Sequence, residues 1–300
     1  MSANDEAHMC CAACGIKQLD DIKLKKCTAC YLVSYCSVQC QKNHRKQHKK
    51  ECKQRMAELR EELLFKQPES SHFGDCPICC LPLSLIEDNS SMTSCCCVLI
   101  CDGCAYRNQM KDDRSVENPL CPYCREPYVS SVAEQERNIR KRIKAGDPVA
   151  LRNEGVAARM VHNYGVAIEF LTKASKMGDI VAHYHLGHMY VSGEGVEIDK
   201  KKGVYLWEEA AIGGHPDARF NLGAINAQQC KFKNAVKHFM IAASFGHDKA
   251  VEKLKEWYGF GTVTKADFAT ALRAHQAFIN STKSPEREAE ASAANFTRSY

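Results

Sequence analysis

Small and apolar residues return at a fixed interval along the second half of the chain. The phrases KAGDPVA, KMGDIVA, IGGHPDA and SFGHDKA align Gly146, Gly178, Gly214 and Gly246, with Ala150, Ala182, Ala218 and Ala250 four residues later. Successive glycines are 32, 36 and 32 residues apart. Ala174, Ala210 and Ala242 precede three of them, and Leu186, Leu222, Leu206, Trp207 and Phe239 fall where apolar helical stripes would be buried. Self-similarity at this period predicts stacked helix pairs. Small residues let two helices cross closely, and a left-handed glycine ends each second helix. The four-residue excess of the middle interval sits in SGEGVEID, so it reads as a longer loop. The first repeat is degenerate, with Glu154 where later repeats carry Leu186 and Leu222, although Gly155 keeps its place.

Flanking segments have patterns of their own. KQRMAELREELLFKQPESSH, residues 53–72, reads as a charged helix ended before Pro68 and followed by a polar linker. VAEQERNIRKRIK within residues 132–145 reads as a charged linker helix whose Arg137, Arg140, Lys141, Arg142 and Lys144 face solvent. TKADFATALRAHQAFINS predicts a capping helix started by Thr264, with Phe268, Leu272 and Phe278 as its stripe. Residues 281–300, rich in Ser, Glu and Ala, read as a disordered tail.

The front of the chain shows no such period; its pattern is cysteine. Eighteen of the 19 cysteines lie in the first 124 residues, and Cys230 alone lies beyond. MSANDEAHMCC contains no apolar stretch of a secretory signal, and no run of about 18 apolar residues suits a bilayer. Without a route to an oxidising compartment, clustered pairs predict metal ligands in an intracellular protein, cytoplasmic or nuclear. The pairs Cys11/Cys14, Cys27/Cys30, Cys36/Cys40 and His48/Cys52 supply eight ligands, enough for two tetrahedral zinc sites. The last two pairs are spaced i, i+4, which places both members on one helical face.

YCSVQCQKNHRKQHKKEC resembles the second half of a MYND-type zinc finger, and the eight-ligand spacing over residues 11–52 is similar to that family's. The resemblance implies interleaved pairs, with Cys11, Cys14, Cys36 and Cys40 on one ion and Cys27, Cys30, His48 and Cys52 on the other. Arg45 stands where such fingers usually carry Trp. His44 reads as a surface residue, because the eight ligand places are filled without it. Apolar side chains are too few here for an independent core, so zinc must supply folding free energy on the order of 10 kcal/mol per site.

Residues 73–128 hold a second set: Cys76/Cys79, the triple Cys95-Cys96-Cys97, Cys101/Cys104 and Cys121/Cys124. This too is a two-zinc module. CPIC, CDGC and CPYCR resemble a RING finger, in an all-cysteine variant, since no histidine occurs between His72 and His162. The resemblance implies one ion on Cys76, Cys79, Cys101 and Cys104, and another on Cys95, Cys96, Cys121 and Cys124. Variants of that family reading Cys-Cys-Gly-Lys-x-Ile-Cys place Cys97 at the glycine. The rival pair, Cys95 with Cys97, has strand geometry in its favour, because i and i+2 share a face. RING-type ubiquitin ligases hold no covalent catalytic residue; they dock a ubiquitin-conjugating enzyme and orient its thioester. Ile78, Pro122 and Arg125 occupy the places that contact the enzyme and ubiquitin in that family. The spare thiols Cys10, Cys80, Cys230 and one of the triple read as small buried hydrophobes.

The helical phrases resemble Sel-1-like repeats, tetratricopeptide-related helix pairs, over about residues 146–280 with the capping helix. That implies an extended surface for protein partners. His183, His185 and His188 occupy ordinary repeat positions rather than a metal site.

Charge removes one class of function. The formal net charge is +5. Fifteen thiolate ligands around four Zn²⁺ would shift it by about −7, leaving no basic field for nucleic acid or anionic lipid. The fold class that follows is two tandem two-zinc fingers followed by an all-α helical-repeat solenoid. Two functions remain, a RING-type E3 ubiquitin ligase with repeat-bound substrate and a non-catalytic scaffold or adaptor.

Overall fold

The structure is a computed structural model that describes residues 10–18, 22–85, 89–111, 120–129 and 131–298. It contains two compact units, Met1–Lys66 and Gln67–Tyr300. The described residues hold twelve helices and four short strands.

In the first unit, β1 (Lys25–Lys26) pairs antiparallel with β2 (Ser34–Tyr35), and α1 (Val38–Phe65) follows. Ser37 caps α1 by accepting the Cys40 N–H at 3.1 Å. The helix runs for 28 residues and stops short of Pro68. It crosses the expected boundary at residue 52, so the last finger ligands and the charged linker helix are one element. Arg55 pairs with Glu58 and Glu62 along it, at 3.2 and 2.8 Å. The interior is small: Cys11, Cys27, Cys30 and Tyr35 are buried, with Leu24 and Val33 packed against them.

The second unit opens with a finger built on a hairpin. β3 (Ser90–Met92) pairs antiparallel with β4 (Leu99–Cys101), Ser90 opposite Cys101 and Met92 opposite Leu99. The turn between them carries all three consecutive cysteines. α2 (Asp102–Lys111) follows β4 directly. Leu83 and Ile100 form the apolar centre, with Phe73 against them.

Next come α3 (Val132–Lys144) and the helix pairs α4 (Pro148–Met160) with α5 (Tyr164–Lys176), α6 (Ile180–Ser192) with α7 (Lys200–Ile212), and α8 (Pro216–Gln228) with α9 (Phe232–Ser244). The array ends in α10 (Asp248–Gly259) and α11 (Lys265–Ser281). The repeated phrase has one local structure each time. Gly146, Gly178, Gly214 and Gly246 are left-handed, with φ of 75, 86, 85 and 85°. The next residue is the helix N-cap: Asp147 and Asp179 accept backbone N–H groups, and His247 accepts that of Ala250. Ala150, Ala182, Ala218 and Ala250 then face the interior, fully buried. Gly155, Gly187 and Gly223 mark where the paired helices touch: a Cβ there would lie 2.7 Å from Leu171, 2.5 Å from Trp207 and 2.6 Å from Phe239. Glu154 is exposed, which is how the first repeat tolerates it beside a retained glycine.

Three expectations are corrected. The stripe of α11 is Phe268, Ala271 and Phe278, and Leu272 is exposed. The polar linker is docked: the His72 N–H donates to the Gly214 carbonyl at 3.1 Å, and the His72 ring stacks on His215 at 4.0 Å. A Cβ on Gly214 would lie 2.4 Å from the Ser70 carbonyl oxygen, so that glycine serves both a left-handed turn and a close approach. The tail read as disordered forms α12 (Pro285–Arg298), packed on α2; residues 299–300 lie outside the described residues. No helix among the described residues is long and apolar enough to cross a membrane.

Candidate metal centres

One turn recurs five times in the fingers. In Cys11–Gly15, Cys27–Tyr31, Cys76–Cys80 and Cys121–Arg125, the fifth residue's N–H donates to the first cysteine's carbonyl, at 2.8 to 3.0 Å. That fifth residue is left-handed each time: Gly15, Tyr31, Cys80 and Arg125 have φ of 74, 59, 56 and 64°. The turn aims both sulfurs to one side and points backbone N–H groups at the first. Burial alone would raise the Cys11 and Cys27 thiols, but the amides of Cys36, Cys14 and Ala13, and of Cys30 and Ala29, bring each down to about 6. Cys121 falls to about 7 in the same way, through the amides of Cys124 and Tyr123. Cys76 falls to about 4, first through the Cys101 thiol and then the Cys101 amide. The first cysteine of each of these four turns thus favours the thiolate, the form that binds metal, whereas the thiols beside them push Cys36 and Cys101 up and burial pushes Cys95 up.

The fifth copy is Thr93–Cys97. Cys97 N–H donates to the Thr93 carbonyl at 2.8 Å, and Cys97 has φ of 55°. A threonine therefore stands at the first-cysteine place, its hydroxyl 3.0 Å from Cys96 Sγ. Cys95 and Cys96 point into a cluster with Cys121 and Cys124. Cys97 takes the left-handed position and is buried away from that cluster beside Arg142, where burial pushes its thiol up. Cys97 is not among the thiols of that cluster.

Four clusters bring their ligand atoms within 4.8 Å of one another: Cys11/Cys14/Cys36/Cys40, Cys27/Cys30/His48/Cys52, Cys76/Cys79/Cys101/Cys104 and Cys95/Cys96/Cys121/Cys124. Within them, sulfurs lie 3.6 Å apart for Cys14–Cys36, 4.0 Å for Cys27–Cys52, 3.8 Å for Cys79–Cys101 and 3.3 Å for Cys95–Cys124. Tetrahedral zinc with Zn–S near 2.3 Å puts sulfurs about 3.8 Å apart, whereas a disulfide needs about 2.05 Å. All nineteen cysteines are free thiols. The donor sets, three sulfurs with one imidazole and three times four sulfurs, suit zinc.

The remaining expected residues fall as follows. Ile78 and Arg125 are exposed, in the first and last turns of the second finger. Pro122 is half-buried and lines a 90 Å³ cavity with Thr93, Ile100 and Tyr128. His44 is not a ligand, but it is half-buried, stacked on His48 at 5.8 Å and 3.1 Å from the Tyr35 hydroxyl. Of the spare thiols, Cys80 and Cys230 are exposed rather than buried; both hold left-handed turns. His183 meets the Asp179 carbonyl, while His185 and His188 contact Arg159, at 3.0 and 2.8 Å, so the three do not converge on an ion. Beside the Cys27 site lies a groove of about 550 Å³, lined by Tyr35, Val38, Lys42, Arg45, Lys49 and Met56. Sequence reasoning missed Thr93, whose signal was its place three residues before Cys96.

The MYND finger family model matches residues 11–52. Residues 11–52 form a MYND finger. The Sel1 repeat model matches residues 155–179 and 180–215. Among solved structures, the chain is similar to a Sel1 repeat protein from Oxalobacter formigenes, with 22% identity and a TM-score of 0.41 over 51% of this chain and 64% of that one. It is also similar to a protective antigen of uropathogenic Escherichia coli strains that displays an SLR fold, with 25% identity and a TM-score of 0.41 over 49% of this chain and 33% of that one. The chain thus spans less than two thirds of either. No curated protein matches it.

Proposed function

We propose that residues 73–128 are a RING-type module, that the chain holds four Zn²⁺, and that it acts as a ubiquitin ligase whose MYND finger and repeats gather protein partners. The observation that carries the reading is the interleaving in the second finger. Its first pair shares a cluster with its third, and Cys95/Cys96 with its fourth, across a hairpin and α2. Zinc at these sites supplies folding free energy rather than chemistry. What remains for the protein is positioning. Ile78, exposed in the first turn, and Pro122 in the last offer the apolar contact for a ubiquitin-conjugating enzyme, and Arg125 offers the cation for ubiquitin. In the MYND finger, the basic and apolar groove at Lys42, Arg45 and Met56 suits a protein segment better than a small molecule. The setting is a reducing one, cytoplasmic or nuclear.

A second reading, a non-catalytic adaptor, draws on Pro122. Its place in the wall of a small cavity is one that a purely structural proline would also take. Autoubiquitination with a panel of conjugating enzymes separates the two. Chains formed by the wild-type protein and abolished in Ile78→Ala support the ligase; silence with every enzyme leaves the adaptor.

A further inference from the structure

The C-terminal helix reaches a cysteine cluster through one side chain. α12 lies so close to α2 that a Cβ on Gly103 would sit 2.7 Å from the Arg287 backbone nitrogen. Arg287 Nη1 donates to the carbonyls of Pro82 and Thr282, at 2.7 and 2.6 Å. Its Nη2 donates to the Leu81 carbonyl at 3.2 Å and to Cys79 Sγ at 3.5 Å. Glu286 adds an exposed pair with Arg107 at 2.9 Å, a contact worth little by itself.

The three carbonyls fix where the guanidinium lies, but neutral donors would satisfy them equally. The feature that calls for a cation is the sulfur cluster. Four thiolates around a divalent ion carry a net charge of about −2. An N–H···S bond from a guanidinium offsets part of that charge and holds the ligand's orientation, as outer-shell groups do around metal sites.

We propose that Arg287 is an outer-shell positioning residue of the Cys76/Cys79/Cys101/Cys104 metal site, so that metal held there docks the C-terminal helix and the docked helix slows loss of that metal. The coupling is reciprocal by linkage. It rests on metal at this cluster and is independent of ubiquitin transfer.

Full-length zinc-loaded protein is placed in excess EDTA. Native mass spectrometry counts the ions that remain with time, and thiol alkylation identifies the cluster that opened. Hydrogen exchange over residues 284–298 of the loaded protein reports helix docking. Arg287→Gln is expected to lose one ion about 10- to 100-fold faster than wild type, with alkylation at Cys76, Cys79, Cys101 and Cys104, and to exchange faster in α12. Arg287→Lys, which keeps the charge without the fork, falls between. Glu286→Gln, which removes the exposed ion pair with Arg107 and leaves the guanidinium of Arg287 in place, matches wild type. Arg287→Gln that frees the helix yet leaves every release rate unchanged overturns the proposal, as does equal acceleration at all clusters. A wild-type protein in which these four thiols alkylate at once, before chelation, removes the metal on which the proposal rests while leaving the ligase assay to be judged separately.

Discussion

The MYND finger and the helical array solve the same problem with different materials. The finger's buried hydrophobic cluster is only three cysteines and one tyrosine. The array buries alanines at every helix crossing and fills the gaps with Leu171, Trp207 and Phe239 against glycines. One region is ordered by a few strong bonds to an ion, the other by many weak contacts between surfaces. Perturbations that act on one currency should therefore leave the other region standing.

The largest effect is expected from metal removal. Chelation withdraws on the order of 10 kcal/mol per site from the fingers. Elemental analysis should find four zinc ions before treatment, and chelated protein should lose the NMR dispersion of residues 11–52 while keeping most helical circular dichroism. Loss of the array's helices together with the fingers would contradict the division. Phe239→Ala is the converse experiment. Phe239 is 1% exposed, so its removal should cost the array about 3–5 kcal/mol in urea unfolding without changing bound zinc.

Acid tests a further difference, because the array and the segment docked on it hold buried neutral imidazoles. Burial pulls His72 and His185 down to about 4 and His238 to about 3. Unfolded imidazoles near 6.5 take up protons that these refuse. Stability is therefore complete above about pH 6.5 and falls with decreasing pH toward 4, by up to about 1.4 kcal/mol per unit for each histidine. The urea midpoint should drop between pH 7 and 5, and drop less in His72→Phe; equal slopes would refute the assignment. The smallest effect belongs to a cap. Asp199 accepts the Lys202 N–H at 2.9 Å, and Asp199→Ala should cost about 1 kcal/mol, read as a modest fall in melting temperature.

What the sequence reveals follows the same division. Ligand pairs and repeat phrases are local, so Cys11/Cys14 or Gly178/Ala182 can be read from a few neighbouring letters. The pairing of Cys95 with Cys96 was legible only by resemblance; its physical reason, a left-handed backbone at Cys97, needs coordinates. Long-range docking was not legible at all. SPEREAEASAAN has the composition of a disordered tail, and nothing in it announces that Arg287 meets carbonyls some 200 positions earlier. The same holds for His72, whose partners Gly214 and His215 lie in a distant turn.

Interleaved ligand pairs impose an order on assembly during synthesis. Cys11/Cys14 and Cys27/Cys30 leave the ribosome first, and together they are already four sulfurs able to hold one ion. Neither native site of the finger can close until Cys36 and Cys40, then His48 and Cys52, have followed. An ion captured early by the wrong four would have to be handed over by ligand exchange before either native site could fill.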